Sequence, residues 1–113
     1  MVLINYALEP SRLKELAVFI ISITYKVDLS LIEPHLAAHR AFLDKYYRNG
    51  MFILSGAKAP RTGGVIIARA SRRVIVDAIV KEDPFYKAGF ADYSVVEFVP
   101  SMARVGLESL LES

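Results

Sequence analysis

Cysteine and tryptophan are both missing from this sequence of 113 residues. Without cysteine there is no disulfide, no thiolate nucleophile, no cysteine-ligated zinc and no iron–sulfur cluster. The absence suits a reducing compartment, and the expected location is the cytoplasm. Charge of one sign is scarce as well: fourteen Lys+Arg against twelve Asp+Glu leave a formal +2. Basic residues cluster only at Arg69, Arg72 and Arg73, too few for the one-sided footprint of a nucleic-acid binder. Long apolar runs are also missing. The longest uncharged one, Leu16 to Tyr25, has ten residues, where a spanning helix needs roughly 20. Glu9, Pro10 and Glu15 interrupt its lead-in, unlike a signal peptide. Neither a nucleic acid nor a membrane is expected as a partner.

What the chain has in quantity is apolar side chains, 54% of the total, with a mean hydropathy of +0.36. That composition excludes disorder and supports one core of one domain. Val18, Ile20, Ile21, Ile23 and Thr24 make the Leu16–Tyr25 run β-branched, which predicts a buried strand. Pro34 to Arg48 reads as a helix, with proline at its first position and Asn49-Gly50 ending it. Met51 to Ser55 and Val65 to Arg69 read as strands around a loop, Gly56 to Gly64, that contains Pro60 and Gly63-Gly64. A second helix is expected over Arg72 to Lys81 with Ser71 as its cap. Asp83-Pro84 opens a short helical turn closed by Gly89, and Tyr93 to Val99 is the last strand. Ser101 is placed to cap a C-terminal helix bearing Met102, Val105, Leu107, Leu110 and Leu111.

The order is β-α-β-β-α-β, an α+β chain of the ferredoxin-like kind, in which both helices cover one sheet face. In the first strand, alternate residues are apolar on both sides, so the opposite face needs a cover too. A second copy of the chain is the economical one, which makes a homodimer the expected assembly. The C-terminal helix is the competing cover. The division is an N-terminal extension over 1–17, a domain over 18–100 and a helical tail over 101–113.

Helix one carries the chemistry. At about 100° per residue, Leu36, Phe42, Leu43, Tyr46 and Tyr47 share a stripe with His39 in its middle. An inward histidine is either a satisfied core residue or a general base tuned by burial and a carboxylate. His35, one turn earlier, offers a second imidazole. Two ligands without further donors are too few for a metal, so none is expected. Asp83 before Pro84 is an ordinary cap and needs no catalysis to explain it. Ser55-Gly56 ends strand two where a cleft is expected. Ser55 lacks the G-x-S-x-G elbow of an activated serine. Lys58 and Arg61 are loop charges that can hold an anionic substrate.

The stretch His39-Arg-Ala-Phe-Leu, Gly50, and Ser55-Gly56-Ala-Lys-Ala-Pro-Arg-Thr-Gly-Gly-Val-Ile-Ile-Ala resembles the YciI-like (YCII-related) family. So do Asp83-Pro-Phe-Tyr-Lys-Ala-Gly-Phe and Tyr93-Ser-Val-Val-Glu-Phe, and the likeness spans about Val18 to Pro100. It implies a dimeric α+β barrel of ferredoxin-like subunits and a pocket with a His–Asp pair proposed as catalytic. The eleven-residue step from His39 to Gly50 gives His39 the family position and leaves His35 as an extra. Met1 to Ala17 precede the usual family start, as an extra helix over Ser11 to Leu16 or as an upstream start codon. Members linked to dehydrochlorination of hydroxylated aromatics suggest the chemistry. The expected function is a small cofactor-independent enzyme of lyase or isomerase type, with His39 and Asp83 moving a proton on a small molecule. Ser55, Gly56 and Lys58 would hold its oxygen, and Phe85 and Phe90 would form an apolar wall. The alternative is a non-catalytic ligand-binding or regulatory module, since this fold hosts many functions.

Overall fold

The β-branched run forms the strand it predicts. In the computed structural model, which describes residues 16–112, β1 covers Ala17–Tyr25 and lies inside the sheet. A turn of helix, α1 (Leu29–Ile32), follows; its cap Asp28 accepts from the Ser30 N–H. Pro34 lies in a 3-10 turn, Glu33–His35, that leads into the main helix α2, Leu36–Arg48. Gly50, at φ 85°, adopts the left-handed backbone that ends this helix, and Met51 N–H closes it on the Tyr46 carbonyl. Strands β2 (Phe52–Ala57) and β3 (Gly63–Ala70) form the hairpin. Then come α3 (Arg73–Val80), the short α4 (Pro84–Lys87) and β4 (Ala91–Phe98).

The sheet runs β2-β3-β1-β4 with every neighbouring pair antiparallel. β1 and β2 are thus separated by β3, which makes this the split βαβ arrangement, a ferredoxin-like α+β fold. Register assigns the faces. Phe19 stands opposite Ala68 and Ile21 opposite Ile66, and all four are buried under Phe42 and Tyr46 of α2 and Val76 and Ile79 of α3. Each large side chain so buried contributes about 1.5–3 kcal/mol. The alternate positions Ile20, Ile67, Leu54, Val96 and Phe98 form the other face. There Leu54 is 65% exposed and Val96 56%.

Three expectations change in detail. Ser71 caps nothing: the cap of α3 is Arg72, with extended backbone and no side-chain bond, because the chain enters the helix one residue later. The C-terminal helix shrinks to a 3-10 segment, Glu108–Glu112. Gly106 at φ 101° breaks the run, and Met102 and Val105 are each 88% exposed, so no apolar face anchors a helix there. The first strand starts at Ala17, inside the expected Leu16–Tyr25 run and one residue before the domain boundary placed at 18, and Ala17 pairs with Ala70. The rest of the N-terminal extension, and nearly all of the helix expected over Ser11 to Leu16, lies outside the described residues. Among the described residues no helix is long and apolar enough to cross a membrane.

Candidate functional site

At one end of the sheet, where Ile23 of β1 pairs with Gly64 of β3 and Gly64 with Ala57 of β2, the helix-facing residues of β2 and β3 are small. The space above them, under the N-terminal half of α2, is a cavity of about 350 Å³. Ile23, Val65 and Ile66 from the sheet and Leu36 and Leu43 from α2 give it apolar walls. Its polar groups come from His39 and Arg40 on α2, Tyr25, Ser55 and Arg61. Gly63 serves a different purpose. A Cβ there would come within 1.7 Å of the Ile23 carbonyl oxygen, so only glycine lets β3 approach β1 this closely.

Behind His39 lies Asp83, with 0% of its side chain exposed against 15% for His39. The carboxylate is held three ways. His39 Nδ1 lies 2.9 Å from Oδ1, the Phe85 N–H donates to the same oxygen at 3.1 Å, and the Tyr93 hydroxyl donates to Oδ2 at 2.7 Å. Asp83 is therefore both the cap of α4 and the partner of His39. Burial, followed by the charge of Asp83, pushes the Tyr93 hydroxyl far above the ordinary tyrosine range, so it stays a donor. A carboxylate that takes the fixed Phe85 N–H and the Tyr93 proton has only lone pairs to offer His39. In the neutral imidazole Nδ1 then carries the hydrogen, which leaves the lone pair on Nε2. The Phe85 ring stacks under the imidazole at 4.5 Å and 23°, fixing its plane.

Local sequence explains why two residues forty-four apart meet. Pro84 starts α4, Asp83 caps it, and Gly89 at φ 71° ends it, so the carboxylate sits at the tip of a one-turn helix. Glu82 ties the preceding loop to α2: its carboxylate accepts from Tyr46 Oη at 2.7 Å and Lys45 Nζ at 3.0 Å. Those bonds, the Tyr46 one first, hold the Glu82 carboxyl below the usual glutamate range. Burial raises the Tyr25 hydroxyl at the cavity wall, with Arg61 opposing.

The residues expected at the site divide. His39, Ser55 and Gly56 line the cavity, and Asp83 reaches it through His39. The Ser55 hydroxyl is engaged by Tyr47 Oη at 2.6 Å. Lys58, Phe85 and Phe90 are not among the lining residues. Lys58 Nζ donates to Thr24 Oγ1 at 3.0 Å, on the sheet's other face, which removes it from the substrate's oxygen. Phe85 is buried beneath His39, and Phe90 meets His35 edge-on at 5.4 Å. Among the described residues no group of three or more His, Asp or Glu side chains is placed to hold a metal. Sequence reasoning passed over Tyr93, Tyr25 and Arg40. Only Tyr93 had a readable signal: its alternation with Val95 puts it on the helix side of β4.

None of the curated proteins matches the chain. The fold is shared with the 5-chloro-2-hydroxyhydroquinone dehydrochlorinase of Burkholderia phenoliruptrix, solved in complex with 2,5-dihydroxybenzoquinone. That match has a TM-score of 0.64 and 24% identity over 72% of this chain and 92% of the other. SnoaB, a cofactor-independent oxygenase from Streptomyces nogalater, aligns more loosely, with a TM-score of 0.47 and 13% identity over 79% and 96%. The sequence profile of the YCII-related domain matches residues 17–99, a span that holds all four strands, His39 and Asp83, and the chain belongs to that family.

Proposed function

We propose that the chain is a small enzyme in which His39 and Asp83 carry out proton transfer on a ring-sized molecule, with no cofactor in the step. The observation behind this reading is the buried Asp83 carboxylate, fed by three donors, that turns Nδ1 of His39 inward beside a cavity. Nε2 takes a proton from a hydroxyl or an activated carbon of the substrate. Asp83 offsets the positive charge that the imidazole then gains, and the same nitrogen returns the proton to another atom or to water. In a tautomerisation the proton re-enters at a second position. In an elimination the electron pair of the broken C–H or O–H bond expels the leaving group with its bonding electrons.

A cavity of about 350 Å³ with five apolar residues in its wall suits one substituted ring. Hydroxylated aromatics are the first compounds to try, because the dehydrochlorinase that shares this fold is named for one. In this reading the protein works as a homodimer, paired through the sheet face that leaves Leu54, Val96 and Phe98 exposed.

The test is incubation of the full chain with a library of small hydroxylated aromatics, followed by mass spectrometry of the mixture. A converted compound whose turnover is lost in His39→Gln and kept in His35→Gln supports the enzyme. Binding without conversion, unchanged by His39→Gln, leaves the non-catalytic module.

A further inference from the structure

The cavity's ionisable groups are unbalanced. Arg40 of α2 and Arg61 of the loop between β2 and β3 line it beside His39, and no carboxylate does. Three basic side chains outside the cavity have a carboxylate partner: Lys26 with Asp92, Lys45 with Glu82 and Arg73 with Asp77. Neither Arg40 nor Arg61 forms an ion pair among the described residues. Two other polar groups are engaged by neighbours, Ser55 by Tyr47 and Lys58 by Thr24. The arginines are therefore the cavity's cationic donors, beside the Tyr25 hydroxyl, and Ile23, Leu36, Leu43, Val65 and Ile66 leave much of the remaining wall apolar.

Building on the acid–base reading of His39, we infer that the substrate is a small ring compound carrying a planar oxyanion, a carboxylate or a ring enolate, selected by Arg61 together with Arg40. A guanidinium presents parallel N–H donors that fit two oxygens in one plane, which an ammonium does not. The apolar wall takes the ring, and the arginine end takes the charge. The arrangement also serves the reaction. When His39 draws a proton from the ring or its hydroxyl, negative charge grows on conjugated oxygen, and the guanidinium cations stabilise it.

Binding of matched probes to the full chain tests this directly. Benzoate and 2,5-dihydroxybenzoquinone supply the two oxyanions; benzamide and benzylamine are the neutral and cationic counterparts. Occupancy is read from the backbone amides of Gly56, Ala57 and Gly64 in ¹H–¹⁵N spectra. An oxyanion should bind about 10-fold or more tightly than benzamide, as expected for hydrogen bonds to a charged group. The tighter of the two oxyanions identifies the headgroup. Arg61→Gln should remove most of that margin and Arg61→Lys should retain part of it, and added salt should narrow it. Equal binding of benzoate, benzamide and benzylamine, or a margin undiminished in the Arg40→Gln/Arg61→Gln double variant, overturns the inference. Neither result touches the acid–base reading, which rests on His39. If no probe shifts any of the three amides, the cavity is not a binding site and both readings fall.

Discussion

Truncating Asp83 to alanine perturbs the whole site at a single residue. The carboxylate accepts from the Phe85 N–H, the Tyr93 hydroxyl and His39 Nδ1. His39, being partly exposed, can turn or change tautomer to find water. The Phe85 N–H cannot and the part-buried Tyr93 hydroxyl can only in part, and an orphaned buried donor costs about 1–3 kcal/mol. Removing a buried charge returns part of this. The net loss for Asp83→Ala is therefore about 2–4 kcal/mol, a large share of the 5–15 kcal/mol typical of a domain. Asp83→Asn behaves differently. Because the Phe85 N–H and His39 share Oδ1, the asparagine oxygen stays there and its NH₂ faces Tyr93, whose hydroxyl reverses to accept. Cap and geometry survive, so its cost stays within about 1 kcal/mol. Urea unfolding of the three proteins, fitted to two states, measures both values. An Asp83→Ala loss below about 1 kcal/mol, or an Asn variant as damaged as the alanine, would refute the proposed role of the carboxylate as hub of this network.

Other consequences are open to measurement. Tyr93→Phe leaves Oδ2 without its donor and should destabilise by about 1–2 kcal/mol in the same assay, with a matching fall in any turnover found. Gly63→Ala should cost more than about 3 kcal/mol or prevent folding, because its Cβ meets the Ile23 carbonyl. Gly56→Ala, with open space around the added carbon, should be tolerated within about 1 kcal/mol. Light scattering should give twice the 12.6 kDa chain mass, and Val96→Asp on the exposed sheet face should halve it. A wild-type monomer at low micromolar concentration removes the dimer. The Glu82 carboxyl lies lower in the folded than in the unfolded chain. Its contribution is thus present above the ordinary glutamate range and lost as pH falls through the lowered value. Stability–pH curves of wild type and Glu82→Gln should converge at acid pH; parallel curves would contradict the pairing with Tyr46 and Lys45.

Much of this architecture was legible because it rests on local rules. The β-branched run announced β1, Asn49-Gly50 the end of α2, and Asp83-Pro84 with Gly89 the one-turn α4. The C-terminal helix misled because its apolar spacing is helical while Met102, Val105 and Leu107 stay exposed, and propensity yields when so little of a face is buried. Ser71 misled because one residue of extended backbone at Arg72 shifts the cap. At the site, stripe geometry put His39 inward and the family pattern supplied Asp83. Spacing along the chain could not show that Lys58 crosses to Thr24 on the opposite face. Nor could it show that Ser55 is taken by Tyr47. Tyr25 and Arg40 join Arg61 at the cavity because small residues at Ala57 and Gly64 leave it open, a consequence of strand register that the linear sequence does not display.

The central claim is that Asp83 holds the hydrogen of His39 on Nδ1 and leaves the lone pair on Nε2. Long-range ¹H–¹⁵N correlation of the His39 ring, recorded where the imidazole is neutral, reads the tautomer directly. The wild type should show the Nδ1–H form, with a downfield Hδ1 signal from the hydrogen bond to Asp83, and Asp83→Ala should lose that signal. An Nε2–H tautomer in the wild type, or a spectrum that does not respond to Asp83→Ala, would contradict it.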